Sequence, residues 1–243
     1  MKYCYAFRRF SDYPYLGNAF DMDPERITSK FLGRVKDMGF DGIELGIECL
    51  EKINGGEKGI KEFAKKLEDH GTPLLALRSG GLMIDPKYGE DNYKRIISSF
   101  KFAEFFNTKL INGAISIPEK SPYLDTGTEL ISSEWVAHAG LPFSQNSSRE
   151  TTLPEYELLA KKYSEVCDLA KEFDISISCE VHQNSPVDNS WSAKLIHKLV
   201  NKDNFGINPD LGNILWNYDI PEELCEDAII ELAPISNYWH CKN

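Results

Sequence analysis

The stretch Ser176-Ile177-Ser178-Cys179-Glu180-Val181-His182 decides the fold, because it alternates in character and delivers a carboxylate near its end. Such alternation is typical of a β-strand whose two faces meet different surroundings. Two more short apolar stretches end on polar side chains, at Asp210 and His240, so that the three ends recur at intervals of 30 residues. About 30 residues is the length of one strand-helix unit. The recurrence predicts parallel strands whose carboxyl ends lie side by side.

Helix signals alternate with strand signals along the rest of the chain. Asp23-Pro24-Glu25 predicts a helix start and Gly39 predicts its end. Further helices are expected at 58–70, 91–106, 156–173, 191–200 and 221–232, and strands at 3–8, 42–45, 73–78 and 109–112, in addition to those ending at Glu180, Asp210 and His240. This alternation is typical of an α/β fold with a parallel sheet.

The expected architecture is a (β/α)8 TIM barrel, which carries its active site at the carboxyl ends of the strands. Seven strands are predicted, and the sequence stops three residues past His240. Seven parallel strands without closure leave two sheet edges exposed. We therefore expect a barrel truncated after strand seven, or one whose open side is covered by another copy.

One long stretch interrupts the rhythm of strands and helices. Residues 113–154 contain prolines, glycines and a Ser-Gln-Asn-Ser-Ser run, with little periodicity. A loop of this length on the carboxyl side of strand four favours a lid over a linker. We expect one domain over residues 1–243, with a lid-like insertion at 113–154.

Composition excludes several classes of partner. The 243 residues are 42% hydrophobic and 27% charged, which is ordinary for a soluble globular protein. A net charge of −11 argues against nucleic acid as a partner, and no run approaches the roughly 18 apolar residues of a membrane span. The six cysteines lack C-x-x-C spacing, so we expect free thiols in a reducing compartment and a cytoplasmic protein.

Side-chain alternation indicates which face of each strand meets the barrel interior. On the fifth strand, Ser178 shares a face with Glu180, whereas Ile177 and Cys179 lie on the other. Asn208 likewise shares a face with Asp210. The predicted ligands thus lie on small or polar faces, and the apolar faces are expected to meet the helices.

Two carboxylates and one imidazole, from Glu180, Asp210 and His240, form a ligand set suited to Mn²⁺, Mg²⁺, Co²⁺ or Zn²⁺. A divalent ion with open positions can chelate a hydroxyl and an adjacent carbonyl of a sugar, and stabilise the charge left when a proton departs between them. A carboxylate at the same site can take that proton and return it elsewhere. The residues predict isomerisation or epimerisation through an enediolate, or dehydration if a β-hydroxyl leaves.

Four short motifs lie at predicted strand ends: Cys-Glu-Val-His at 179–182, Asn-Pro-Asp-Leu-Gly-Asn at 208–213, Trp-His-Cys-Lys-Asn at 239–243 and Gly-Phe-Asp-Gly-Ile-Glu-Leu at 39–45. They resemble the motifs of a known family, the xylose-isomerase-like TIM barrels. The family includes ketose 3-epimerases, hydroxypyruvate isomerases, inosose dehydratases and relatives of endonuclease IV. The resemblance extends over essentially the whole chain.

The resemblance implies that Glu180 is both metal ligand and acid/base, with Asp210 and His240 as further ligands. It places three residues among the substrate contacts, namely His182, Asn213 and Lys242. Glu44 either joins the substrate contacts or forms an internal ion pair with Arg78. Family members also supply a second Glu from strand eight, which the sequence lacks, and Asn213 stands where many relatives have His.

The favoured function is a metal-dependent isomerase or epimerase that acts on a small sugar or polyol, phosphorylated or not. Two alternatives stay open: an inosose-type dehydratase at the same site, and a non-catalytic, degenerate barrel. An endonuclease-like activity is disfavoured, because the five histidines are mostly misplaced for a multi-metal cluster and the chain is acidic. The oligomeric state is left open, including a homo-oligomer.

Overall fold

The structure is a computed structural model that describes residues 1–7, 23–86, 88–114, 147–182, 185–216 and 222–241. Strands and helices alternate along these residues. The strands are β1 Cys4–Ala6, β2 Gly42–Gly46, β3 Leu74–Arg78, β4 Leu110–Ala114, β5 Ser176–Glu180 and β6 Phe205–Asn208. The α-helices are α1 Ser29–Asp37, α2 Ile47–Leu50, α3 Gly56–Asp69, α4 Gly89–Phe105, α5 Leu153–Lys171, α6 Ser190–Val200, α7 Leu211–Trp216 and α8 Cys225–Leu232, with 3-10 turns at Pro24–Arg26 and Ala233–Ile235.

The six described strands form one sheet whose order follows the chain, from β1 to β6. The pairs β1–β2, β2–β3 and β5–β6 are parallel. Parallel neighbours need a crossover between them, and the helices supply it. The predicted α/β class and parallel sheet are therefore confirmed.

The first compact unit contains residues 1–79 and 98–111. Its predicted first helix is in fact two elements, because Asp23 caps only the 3-10 turn and Thr28 then adopts an extended conformation. The Thr28 hydroxyl accepts a hydrogen bond from the Phe31 amide (3.2 Å), so α1 begins only at Ser29. The predicted stop is correct, since Gly39 adopts φ +86° after the helix.

The second compact unit contains residues 80–97 and 112–243. Its core forms where α5 packs on β5 and β6, with the ring of Tyr163 5.1 Å from that of Phe205. Cys179 is fully buried and its thiol contacts the Tyr163 hydroxyl. Burial raises the pKa of the Cys179 thiol. As predicted, the apolar face of β5 therefore meets a helix.

The predicted seventh strand, ending at His240, is reduced to an isolated parallel bridge between Ile207 and Ser236. The Asn237 amide donates to the Ile207 carbonyl (3.2 Å), but the His240 amide donates to a side-chain oxygen of Asn208 (2.7 Å). The pairing with β6 is not continued beyond this single bridge. Residues 236–241, named here the C-terminal segment, therefore follow β6 without forming a strand.

The described residues do not test two predictions, the lid-like insertion and the single domain. The lid-like insertion at 113–154 falls largely on residues 115–146, which lie outside them, and the single-domain assignment stays a prediction.

The helices α2 and α7 were not predicted, because each is short and lies where a loop was expected. All six cysteines are free, as predicted. None of the helices within the described ranges is long and apolar enough to cross a membrane.

Gly206 in β6 is expected to tolerate no side chain. A Cβ there would lie 2.6 Å from Oδ1 and 2.7 Å from Nδ2 of Asn237, whose Nδ2 donates to the Ile177 carbonyl (3.1 Å). We predict that Gly206→Ala lowers the free energy of unfolding by about 1–3 kcal/mol, as overpacking usually does. Denaturant unfolding measures this.

Gly33→Ala is the matched control, since no atom lies within 4 Å of a Cβ at this position in α1. Alanine there is expected to be neutral or to stabilise by up to about 1 kcal/mol, because it favours the helix. Equal effects of the two substitutions on unfolding would contradict the described packing of Asn237 over β6.

The buried thiols are predicted to resist modification in the native state. Burial raises the pKa of Cys49 and that of Cys167 to about 12, whereas Cys241 is exposed. Since the thiolate is the nucleophile, an aromatic disulfide reagent at pH 8 should react rapidly with Cys241. Cys241→Ser should remove that fast phase. A fast phase that persists in the variant, and also after Cys4→Ser and Cys225→Ser at the two half-buried thiols, would mean that a thiol described as buried is accessible.

Candidate metal centre

Three side chains that were predicted from their 30-residue spacing lie together in the second unit. One ligand atom from each of Glu180, Asp210 and His240 lies within 4.8 Å of the other two. Nδ1 of His240 is 3.3 Å from Oε1 of Glu180 and 3.6 Å from Oδ2 of Asp210. Successive strand-helix segments of the second unit thus place these polar side chains at one point.

Each of the three residues reaches this point from a different element. Glu180 is the last residue of β5, Asp210 lies between β6 and α7, and His240 lies in the C-terminal segment. Glu180 is 5% exposed, Asp210 is fully buried, and the side chain of His240 is 10% exposed. The group is therefore almost entirely withdrawn from solvent.

The geometry fits a single divalent ion. Oxygen and nitrogen ligands lie about 2.0–2.2 Å from such an ion, so two ligands of one ion are about 3–4 Å apart. The distances of 3.3 Å and 3.6 Å fall in this range. Two adjacent buried carboxylates also repel each other, and a cation between them would offset that repulsion. The three residues form a candidate metal-binding triad.

Amide side chains hold the Glu180 carboxylate on both sides. Nδ2 of Asn112 donates to Oε2 (3.0 Å), and Nδ2 of Asn213 lies 3.4 Å from Oε1 and donates to the Val181 carbonyl (3.0 Å). The backbone amide of Asn213 donates to Oδ1 of Asp210 (3.3 Å). Asn213 was predicted to contact substrate, and the structure places it against both carboxylates.

Asn112 and Asn208 were not among the predicted site residues. Asn112 is fully buried in β4, and Asn208 is fully buried in β6, directly beside Glu180 in the sheet register. A sequence signal did exist for Asn112, because it follows Glu44 and Arg78 at equal intervals of 34 residues. The equal interval indicates that each of these residues lies near the end of a strand. It does not indicate which of their side chains lies near the triad.

The other predicted substrate contacts are not part of the triad. His182 lies two residues beyond Glu180 with a half-buried side chain, and its backbone amide donates to the Val187 carbonyl (2.9 Å). Lys242 lies outside the described residues. Glu44 is fully buried in β2 of the first unit, where the Arg78 guanidinium lies 3.8 Å from the carboxylate of Glu48. Their roles stay predictions.

Solved structures of TIM-barrel proteins match the whole chain. A xylose isomerase-like TIM barrel protein from Mycobacterium smegmatis, in complex with magnesium, is 20% identical, with a TM-score of 0.72 over 100% of this chain and 74% of that one. The probable 3-DHS dehydratase AsbF from Bacillus anthracis is 17% identical, with a TM-score of 0.70 over 100% and 73%. A D-psicose 3-epimerase is 17% identical, with a TM-score of 0.69 over 99% and 72%.

These similarities at low identity confirm the predicted TIM-barrel fold. A search of curated proteins found no match. A family profile described as "Xylose isomerase-like TIM barrel" matches residues 32–242, which is most of the chain. The chain therefore belongs to the xylose isomerase-like TIM barrel family.

Proposed function

We propose that the protein is a metal-dependent sugar isomerase or epimerase whose metal ligands are Glu180, Asp210 and His240. The observation that carries the proposal is the convergence of these three side chains within 4.8 Å in a buried position. Two oxygen donors and one nitrogen donor suit Mn²⁺, Mg²⁺, Co²⁺ or Zn²⁺. A structural neighbour that contains magnesium, and neighbours named as sugar epimerases, support the same class of reaction.

Proton transfer by Glu180 is the central step of the proposed reaction. Its carboxylate takes a proton from the carbon beside a carbonyl, and the electron pair of that bond passes into an enediolate. The same carboxylate can return the proton on the same face, to the neighbouring carbon, while the hydroxyl proton moves to the former carbonyl oxygen. Epimerisation would require a second acid on the opposite face of the enediolate. A divalent ion, when bound, supplies Lewis acidity that stabilises the negative charge on oxygen.

The surroundings of Glu180 suit this role. Its burial keeps water from competing for the proton, and the amides of Asn112 and Asn213 hold the carboxylate in one orientation. Asn213 lies close enough to both carboxylates to contact a substrate held there. We also propose substrate contacts for His182, Lys242 and Glu44, on the basis of the sequence.

A dehydratase is the second candidate function. A solved neighbour of similar TM-score is named as a probable 3-DHS dehydratase. The first step would be the same proton abstraction by Glu180, followed by loss of a β-hydroxyl as water. A β-hydroxy ketone that yields an enone, detected by its ultraviolet absorbance, would favour this function over isomerisation.

Two further proposals concern the setting of the enzyme. Six free cysteines favour a reducing compartment, and we propose the cytoplasm. The substrate is proposed to be a small sugar or polyol, because an ion held by the buried triad would bind adjacent hydroxyl and carbonyl oxygens. The acidic net charge of −11 disfavours nucleic acid.

Metal binding is predicted to depend on His240. Titration with Mn²⁺, followed by calorimetry, should give one site, and His240→Ala should weaken its affinity by about 100-fold or more, because one of three ligands is lost. His70→Ala is the control, since Nδ1 of His70 bonds the Lys66 carbonyl at the end of α3 (2.7 Å). Equal Mn²⁺ affinity in the His240 variant and the unaltered chain would exclude the triad.

Carbon-bound proton exchange is predicted to depend on Glu180. In deuterated water with Mn²⁺, the protein should introduce deuterium into D-fructose or D-psicose, measured by mass spectrometry. Glu180→Gln should abolish exchange, because an amide cannot accept the proton. Glu165→Gln is the control, as this carboxylate lies near Lys162 at the surface. Exchange that survives in the Glu180 variant would refute the assigned role.

A further inference from the structure

We infer that Asn112 and Asn208 are positioning residues, which link two of the proposed metal ligands through one directed series of hydrogen bonds. The inference rests on the proposed function and deepens it. The His240 amide donates to Oδ1 of Asn208 (2.7 Å), and Nδ2 of Asn208 donates to Oδ1 of Asn112 (3.2 Å). Nδ2 of Asn112 then donates to Oε2 of Glu180 (3.0 Å). We call these three bonds the amide relay.

The direction of the amide relay is set by its two ends. A backbone N–H can only donate, so the side chain of Asn208 must turn its oxygen toward residue 240 and its nitrogen toward Asn112. An ionised carboxylate can only accept, so Asn112 must turn its nitrogen toward Glu180. Both requirements agree with the observed bonds. Each amide is therefore held in one of its two flipped orientations.

The amide relay distinguishes the two oxygens of Glu180. Oε2 is held by Asn112, while Oε1 faces Nδ1 of His240 at 3.3 Å. Rotation of the Glu180 carboxylate would break the hydrogen bond from Asn112. Because Asn112 is buried, water could not replace the lost acceptor, and the rotation would cost free energy. The relay thus fixes Oε1 as the oxygen offered to the ion.

The amide relay also fixes the backbone beside the third ligand. The C-terminal segment is not a strand, so no continuous ladder holds residue 240. Its amide is instead bonded to Asn208, which lies beside Glu180 in the register of β5 and β6. A shift of one ligand is therefore transmitted to the other through two buried amides. We infer that the relay sets the distance between the two ligands.

The first experiment tests whether the relay acts on the metal site. Asn112→Leu and Asn208→Leu keep similar volume but remove donor and acceptor, and each should weaken Mn²⁺ affinity by about 10–100-fold, as loss of groups that orient ligands does. Asn204→Leu is the matched control, because Nδ2 of Asn204 bonds the carbonyls of Cys167 (2.8 Å) and Ile175 (3.1 Å), away from the triad. It should lower Tm and leave Mn²⁺ affinity within about twofold.

A merely structural role gives a different pattern. If Asn112→Leu and Asn208→Leu lower Tm as Asn204→Leu does, but leave Mn²⁺ affinity unchanged, the positioning role is overturned. If the unaltered chain binds no Mn²⁺ at all, the proposed function fails, and the relay is then judged by a second experiment that needs no metal.

The second experiment tests the direction of the relay in the presence of a chelator. Asn112→Asp turns an acceptor toward Glu180, and combining it with Glu180→Gln restores a donor facing an acceptor. In a double-mutant cycle, Glu180→Gln should raise Tm more in the Asn112→Asp background than in the unaltered chain. The same change in both backgrounds would overturn the relay, whatever the metal result.

Discussion

The repulsion between two buried carboxylates is the constraint that the surrounding residues of the second unit have to satisfy. At an effective dielectric constant of about 20, two unit charges about 4 Å apart interact by about 4 kcal/mol. Glu180 and Asp210 lie within 4.8 Å of each other with almost no exposure to water. Such a pair persists only where donors or cations compensate it. The contacts of Asn112, Asn213 and His240 are arranged to do so.

His240 lies beside the two carboxylates because the C-terminal segment is held against β6. The last 3-10 turn, Ala233–Ile235, and the single bridge at Ser236 hold the C-terminal segment to β6 over a short length. Gly206 provides room for the side chain of Asn237, which crosses to the Ile177 carbonyl of β5. Because Gly206 has no side chain, the hydrogen bond from Asn237 to the Ile177 carbonyl can form. This bond helps to hold the C-terminal segment, which has no continuous backbone pairing with β6.

Much of the fold could be predicted because its signals are local. The alternation along β5 and the glycine after α1 depend on residues close in sequence, and both predictions are correct. The split at Thr28 was missed, since Asp23 and Thr28 are both good caps and only the backbone between them decides where α1 starts. The seventh strand was overestimated, because its pattern could not reveal that its pairing with β6 would stop after one bridge.

The candidate site could be predicted in part for the same reason. Glu180, Asp210 and His240 recur at one interval along the chain, so the periodicity of the fold is enough to suggest that they meet. The partnership of Asn112 with Asn208 joins strands 96 residues apart and depends on lateral register, which no single strand pattern contains. Residues that hold ligands are harder to find than the ligands themselves, because their side chains are common in caps and turns as well.

The choice of amides around the triad has a chemical consequence. Lysine or arginine in their place would also bond the carboxylates, but each would add a positive charge that competes with a divalent cation. Asn112, Asn208 and Asn213 supply donors and orientation without adding charge. Their neutrality leaves the attraction of the two carboxylates for a cation undiminished, while their hydrogen bonds keep both carboxylates in place. A site that stabilises its carboxylates with neutral groups would thus be preorganised for the proposed ion, because little rearrangement would be needed on binding.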